Sequence, residues 1–130
     1  MSKAIVVDGC TLQIQSPGNS GITPAIQSTP STNVKAGGKG VFFKEIKFQI
    51  TGYMSLVDPT WIAQTSPANG SITATGKWTS DGTDKVVLEG DVSGTVTING
   101  THQVGNHPEA TTEDVTVKVI SAGQSYVKEL

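Results

Sequence analysis

Three side chains in this sequence have the chemistry of transition-metal ligands: Cys10, His102 and His107. The two histidines have four residues between them, in the stretch Thr-His-Gln-Val-Gly-Asn-His-Pro. A loop around the Gly-Asn turn could bring both imidazoles to one ion, and a thiolate from elsewhere in the chain would be a third ligand suited to Zn²⁺ or Fe²⁺. The simpler reading of the same residues, which the sequence alone favours, is two exposed loop histidines and a buried, inert cysteine.

No arrangement of residues predicts catalysis. The Gly-x-Ser-x-Gly pattern of a nucleophile elbow is missing, and residues 18–21 (Gly-Asn-Ser-Gly) lie in a stretch that reads as a loop. The glycine-rich residues 37–40 lack the spacing of a phosphate-binding loop. The eleven carboxylates are spread along the chain with no sign of a converging pair. We predict that the chain is not an enzyme and takes no small-molecule substrate.

Charge and cysteine content exclude several classes of partner. All nine basic residues are lysines, they are scattered, and the net charge is −2. A nucleic-acid surface needs a basic patch and usually arginine, and an anionic membrane surface also needs clustered basic residues. The single cysteine excludes an intrachain disulfide. The N-terminal apolar run is too short for a signal peptide, so we expect cytosolic synthesis without classical secretion.

Composition and periodicity predict an all-β fold with little or no helix, as one domain over residues 1–130. Val, Ile and Thr are abundant, and 21 residues are Gly or Pro. Thr11–Gln15 is a short β-like run, and the best strand is predicted from about Val41 to Thr51, where Ile46, Phe48 and Ile50 alternate with polar residues. Residues 115–119 alternate in the same way, as in half-buried strands. Residues 16–33 and 53–69 read as long loops. A weak internal echo relates residues 70–76 to residues 94–100.

Three stretches of the chain resemble the PAAR-like family, whose members form the sharpened tip of contractile phage tails and type VI secretion systems. They are Val7-Asp8-Gly9-Cys10, residues 31–41 (Ser-Thr-Asn-Val-Lys-Ala-Gly-Gly-Lys-Gly-Val) and residues 84–91 (Asp-Lys-Val-Val-Leu-Glu-Gly-Asp). Family members repeat a turn, a short strand of the Val-x-Val-x-Gly-Lys kind and an Asp-containing turn. This chain contains no arginine, so it lacks the family's Pro-Ala-Ala-Arg repeat and resembles a divergent relative.

The resemblance implies a compact β-cone or prism that caps the trimeric (VgrG-like) spike at the baseplate and transiently punctures the target membrane. Because one tip meets three spike chains, its base should have approximate threefold symmetry. Family tips often bind a metal near the apex through histidines and a cysteine. The resemblance therefore implies one Fe or Zn ion held by Cys10, His102 and His107, with a fourth ligand that the sequence does not identify.

Two other classes of protein fit the composition. An Ig-like or jelly-roll decoration or fibre domain of a virion would explain the Thr, Val and Gly content but would make no use of the cysteine and histidines. A carbohydrate-binding module would use Trp61 and Trp78 as stacking platforms. Loss of thermal stability on removal of a metal ligand would separate the metal-bound tip from both.

Overall fold

The fold is described by a computed structural model for residues 2–15, 21–57, 60–79 and 82–129, with side chains omitted at 56–57, 60–61 and 103–104. The described residues contain no helix, which confirms the all-β prediction, and so none that could cross a membrane. The strands are β1 (Lys3–Ala4), β2 (Thr11–Gln15), β3 (Ala25–Ile26), β4 (Lys35–Ala36), β5 (Lys39–Gly40), β6 (Glu45–Ile50), β7 (Met54–Val57), β8 (Thr60–Gln64), β9 (Ala68–Thr73), β10 (Val96–Val104), β11 (His107–Ser121) and β12 (Lys128–Glu129).

Two antiparallel sheets pack face to face around the main core. One has the strand order β2-β11-β10-β8-β7 and the other β3-β6-β9. Alternate residues of β2, β6 and β11 are buried, as the period-2 pattern predicts. The resulting large core draws on both sheets: Leu12, Ile14, Ile62, Val96, Ile98, Val115, Val117 and Val119 from the first, and Ile46, Phe48, Ile50, Ala68 and Ile72 from the second.

The sequence predicted one strand from Val41 to Thr51, but the chain bends at Lys44. This residue has a φ of +71°, outside the range of a regular strand. Its N–H donates to the carbonyl of Lys85 at 2.7 Å, and its own carbonyl accepts from Ala74 at 2.9 Å. These two bonds hold the bend, so β6 begins only at Glu45.

The prediction that residues 53–69 form a long loop is wrong. Strands β7 and β8 pair as a hairpin, with Met54 opposite Ala63, and Ala68 already belongs to β9. These strands were not predicted, because prolines and glycines interrupt the alternation of polar and apolar residues in this stretch. Each strand is also only partly buried, so burial imposes no regular pattern on it. The loop predicted at 16–33 includes residues 16–20, which lie outside the described residues; within the rest, β3 pairs with β6.

The β10–β11 hairpin is the longest element and extends beyond its neighbours. β2 pairs with β11 only from Thr116 to Ser121, and β8 pairs with β10 only at Gly100 and Thr101. Residues 102–109, called the hairpin arm below, therefore continue as two strands alone. The arm ends in a two-residue turn whose first residue, Gly105, has a φ of +62°, as the tight turns of β-hairpins require.

Candidate docking face

Three short segments of the chain meet around a common centre: residues 5–7, 41–43 and 86–88. Each pairs with both of the others through isolated antiparallel bridges. The last residue of each segment is opposite the first residue of the next: Val7 and Val41, Phe43 and Val86, Leu88 and Ile5. The three segments therefore enclose a three-sided arrangement, called the threefold layer below.

The backbone hydrogen bonds of the threefold layer follow the same cycle. The middle residues form a closed ring, in which Val6 donates to Val87 at 2.9 Å, Val87 to Phe42 at 3.2 Å, and Phe42 to Val6 at 3.2 Å. A second ring joins the residue after each segment to the residue before the next: Asp8 donates to Gly40, Lys44 to Lys85, and Glu89 to Ala4. Because every bond has two equivalents, the backbone has approximate threefold symmetry although the side chains differ.

Each segment also has one outer neighbour, which repeats the symmetry once more. The carbonyls of Val34, Trp78 and Val127 accept from the first residues of the three segments at 3.0, 3.2 and 3.1 Å. The outer neighbours of residues 41–43 and 86–88 come from local hairpins. The outer neighbour of residues 5–7 is β12, from the other end of the described chain. Residues near both ends of the sequence therefore close the ring.

Alternation along each segment sends side chains to opposite sides of the layer. The middle residues Val6, Phe42 and Val87 join the large core. The flanking residues form a separate small core on the other side: Ile5, Val7, Val41, Val86 and Leu88, with Ala36, Val34 and Phe43 packed against them. The layer is thus anchored by apolar burial on both sides.

Two of the segments end in the same tight turn. Gly9 and Gly90 both have a φ of +95°, a conformation that glycine adopts without steric cost. The N–H groups of Cys10 and Asp91 donate back to the last residues of their segments at 3.1 and 3.0 Å. Cys10 and Asp91 therefore hold equivalent positions in the two turns.

Asp91 fixes its turn with its side chain. It is only 4% exposed, and its carboxylate accepts from the N–H of Leu88 at 2.9 Å and from both the N–H and the hydroxyl of Thr75. A buried carboxylate needs such donors to offset its lost hydration.

An open groove of about 570 Å³ lies over the small core. Its walls come from all three parts of the threefold layer: Ile5, Val127, Lys128 and Glu129; Val34, Lys35, Ala36 and Val41; and Trp78. The Trp78 ring is 47% exposed and packs at a centroid distance of 5.9 Å on Phe43. The groove is therefore an apolar depression on the outer side of the layer, away from the large core.

Two lysines stand on the groove rim at equivalent positions. Lys35 and Lys128 each follow the outer carbonyl of their part of the layer, and both are exposed. The carboxylate of Glu129 accepts from the backbone N–H groups of Lys77 and Trp78 at 2.6 and 2.9 Å. Within the described part of the chain the one ion pair lies elsewhere, between His107 and Glu109. The rim is therefore basic in a chain whose net charge is −2.

The predicted metal ligands are not brought together. Cys10 directly precedes Thr11, which pairs with Ser121 at one end of β11, whereas His107 begins β11 at its other end. At about 3.3 Å per residue, a 15-residue strand separates these ends by on the order of 40 Å. Among the described residues no group of three His, Cys, Asp or Glu side chains could hold a metal ion. The three residues thus do not fit one ion within a single chain.

The hairpin does bring the two histidines to one face. His102 is opposite Glu109 in the strand register, and His107 lies two residues before Glu109, so all three side chains share a face. The His107 imidazole is 3.5 Å from the Glu109 carboxylate, and both side chains are more than half exposed. The sequence analysis placed both histidines in a loop, whereas they lie on two strands, with His102 opposite Glu109 and His107 opposite Val104.

Cys10 has the properties of a structural residue. It is partly buried against the large core. Burial raises the pKa of its thiol to about 11, and the nearby negative charge of Asp8 acts in the same direction. A thiol with this pKa stays protonated near neutral pH, when it is a poor metal ligand and a poor nucleophile.

The two tryptophans do not form a described pair. Trp78 lies on the groove, whereas the Trp61 side chain is outside the described residues. The threefold layer itself was missed by the sequence analysis. The available signal was the repeated pattern of three apolar residues, an acid and a glycine at residues 5–9 and 86–90.

Comparisons with protein-family models, with curated proteins and with solved structures found no match to this chain.

Proposed function

We propose that this protein is the tip that caps the trimeric central spike of a contractile phage tail or a related injection system, with the threefold layer as its docking face. The observation that carries the proposal is symmetry: one chain presents three equivalent backbone segments, which suits the end of a spike made of three chains. A single tip can then make similar contacts with each spike chain.

The family resemblance supports the same proposal. The three stretches that resemble PAAR-like tips are residues 7–10, 31–41 and 84–91. They are far apart in sequence, yet all three contribute to the threefold layer or to its outer strands. If the resemblance were accidental, we would not expect the three stretches to lie around one small core.

The positions of the two ends of the molecule also suit a tip. β11 leaves the threefold layer where Val7 donates to the carbonyl of Ala122 at 2.9 Å. From there it runs 15 residues to the turn at Gly105 and Asn106. A docking face at one end and a narrow two-stranded hairpin at the other give the polarity that a membrane-piercing tip requires.

The direct test is localisation on the particle. The chain would carry a short epitope tag inserted at Gly105–Asn106, at the end opposite the proposed docking face, and contractile particles from the native host would be labelled with gold-conjugated antibody. We expect one label at the pointed end of the central spike. Label along the sheath or the capsid would instead favour a decoration or fibre domain, and particles without label would remove the proposal.

Stoichiometry gives a second readout. Native mass spectrometry of the isolated spike should show one copy of this chain for every three spike chains. Three copies per spike trimer would contradict the role of the threefold layer, because each spike chain would then bind a separate copy.

A further inference from the structure

We infer that the groove on the docking face selects a trimer end with apolar side chains at its centre and carboxylates around them. The inference rests on the proposed function, because it names the chemistry of the end that this face binds. It assigns specificity to Lys35 and Lys128, which the resemblance leaves without a role.

The centre of the groove calls for apolar side chains. Its floor is formed by Ile5, Ala36 and Val41 of the small core, and its walls by Val34, Trp78 and Val127. Trp78 and Val127 remain 47% and 39% exposed. Binding of apolar side chains in this groove is favourable because it removes apolar surface from water. A side chain on the axis of the layer would contact all three walls at once.

The rim calls for negative charge. Lys35 and Lys128 are exposed, and no described carboxylate lies within ion-pair distance of either. Glu129, the one acid on the groove, already accepts two backbone N–H groups. Charges of this kind contribute mainly to the choice of partner and to the association rate, so the rim favours carboxylates and disfavours an end that carries lysines.

The backbone at the same two lysines is open to pairing. In antiparallel strands, hydrogen-bonded and non-hydrogen-bonded pairs alternate. In the pairs next to Lys35–Gly40 and Ala4–Lys128, Val41 donates to the carbonyl of Val34 and Ile5 donates to the carbonyl of Val127, so the carbonyls of Val34 and Val127 face β5 and β1. The N–H groups of Val34 and Val127 donate to the side chains of Ser31 and Gln124. Lys35 and Lys128 therefore direct their own N–H and C=O groups away from β5 and β1. Extended chain ends could add to these edges by β-augmentation.

Other occupants match the groove less well. A sugar needs several convergent polar groups, and the described side chains of the groove offer only Lys35, Lys128, the indole N–H of Trp78 and the occupied Glu129. A single peptide would contact one or two walls and leave the third exposed. Three chain ends that share an axis fill the groove and meet both lysines.

The test uses a designed three-stranded coiled coil whose chains each end in Asp-Val-Asp-Val. A matched coiled coil ending in Lys-Val-Lys-Val and the free Asp-Val-Asp-Val peptide are the controls. Binding is measured by calorimetry and by tryptophan fluorescence. We expect the acidic trimer to bind at least 10-fold more tightly than either control. The double variant Lys35→Glu/Lys128→Glu should prefer the lysine trimer, whereas Lys47→Glu, an exposed change on β6, should behave as wild type.

Several results would overturn the inference. If the two trimers bind equally tightly, or if neither binds, the groove does not select carboxylates. If the free peptide binds as tightly as the acidic trimer, the groove does not require three chain ends. A fluorescence response to chitohexaose alone would favour a carbohydrate site, and dimers in sedimentation would indicate a self-association face.

Failure of the inference is distinguishable from failure of the proposed function. If the charge-reversed variant labels the spike of the particle as well as wild type does, the function stands and the inference falls. If wild type is missing from the particle but binds the acidic trimer, the function falls and the groove chemistry stands.

Discussion

The threefold layer and the hairpin arm are both made of β-strands, yet they are stabilised in opposite ways. In the layer each segment is hydrogen-bonded to the two other segments and to one outer neighbour, and its side chains are divided between two cores. In the arm every residue from Gly105 to Glu109 is exposed, and each strand pairs with one neighbour only. The arm therefore depends on cross-strand contacts alone, which contribute far less than burial.

The difference suits the two tasks that we propose for one chain. A docking face has to hold its shape before the partner binds, and the closed hydrogen-bond rings of the layer would hold that shape. The arm must remain soluble despite an unpaired strand edge, and Pro108 and Glu109 protect it, since a proline and a charge both disfavour pairing with another chain. We expect the amides of the arm to exchange with solvent much faster than those of Val6, Phe42 and Val87.

The largest expected effect is the loss of the Asp91 carboxylate. Asp91→Ala leaves the N–H of Leu88 and two donors of Thr75 without their acceptor. Each unsatisfied buried donor costs about 1–3 kcal/mol, so the free energy of unfolding should fall by about 3 kcal/mol. Urea-induced unfolding measures it.

The matched change beyond the layer is Asp114→Ala. Asp114 is exposed and accepts one hydrogen bond, from the Thr97 hydroxyl at 2.8 Å. Its removal should cost about 0.5 kcal/mol, because water replaces the lost partner. Equal losses in the two variants would mean that the turn of the threefold layer is no more important to the fold than the outer hairpin.

The same contrast explains what the sequence could predict. Period-2 alternation reports one-sided burial, so it found β2, β6 and the inner half of β11. It missed the strands of the arm, where residues on both faces are polar, and it missed β7 and β8. A strand produces period-2 alternation in the amino-acid sequence only when one of its faces is buried and the other is exposed.

The candidate site was harder to predict for a different reason. Each segment of the threefold layer is three residues long, too short for a periodic signal, and the three lie tens of residues apart in sequence. The proposed ligand set failed to assemble because the length of β11 sets the distance between Cys10 and His107. Residue types indicated the chemistry, but only the strand pairing decides which residues meet.

The second prediction concerns Cys10, which lies beside the layer. Since its thiol has a pKa of about 11 rather than 9.0, its thiolate fraction at pH 8 is about 100-fold lower. A more basic thiolate is also more nucleophilic, which offsets part of this difference, so iodoacetamide should modify the folded protein about 10-fold more slowly than the urea-unfolded chain. The control Cys10→Ser/Thr112→Cys moves the thiol to an exposed position on β11, where modification should be fast in both states.

Cys10 also makes a prediction about pH and metal. Its raised pKa stabilises the fold below about pH 9, and this contribution is lost as the pH rises from 9 toward 11. Cys10→Ser should lack that loss.

Elemental analysis of untagged protein should give the same iron and zinc content for Cys10→Ser as for wild type. A metal that is lost when Cys10 is replaced would contradict the separation of Cys10 and His107 along β11.

The third prediction compares two glycines. Gly40 lies so close to the backbone of Ser31 that an added methyl group would overlap its carbonyl oxygen. Gly40→Ala should lower the free energy of unfolding by about 2 kcal/mol, in the range of overpacked sites. At Gly105, on the arm, an added methyl group meets nothing and only the positive φ is unfavourable. Gly105→Ala should cost about 1 kcal/mol, and a larger loss than at Gly40 would contradict the tight packing of the layer.

The smallest effect is expected from shortening the arm. Thr101 and Ala110 are partners in the strand register, so deleting residues 102–104 and 107–109 keeps the Gly105–Asn106 turn and the register. No residue from 105 to 110 is buried, and the free energy of unfolding should change by less than about 1 kcal/mol. Loss of the cooperative transition would show that the arm is part of the folding unit. If the shortened protein folds and still occupies the spike, docking belongs to the threefold layer, and the arm is free to serve a separate role at the opposite end.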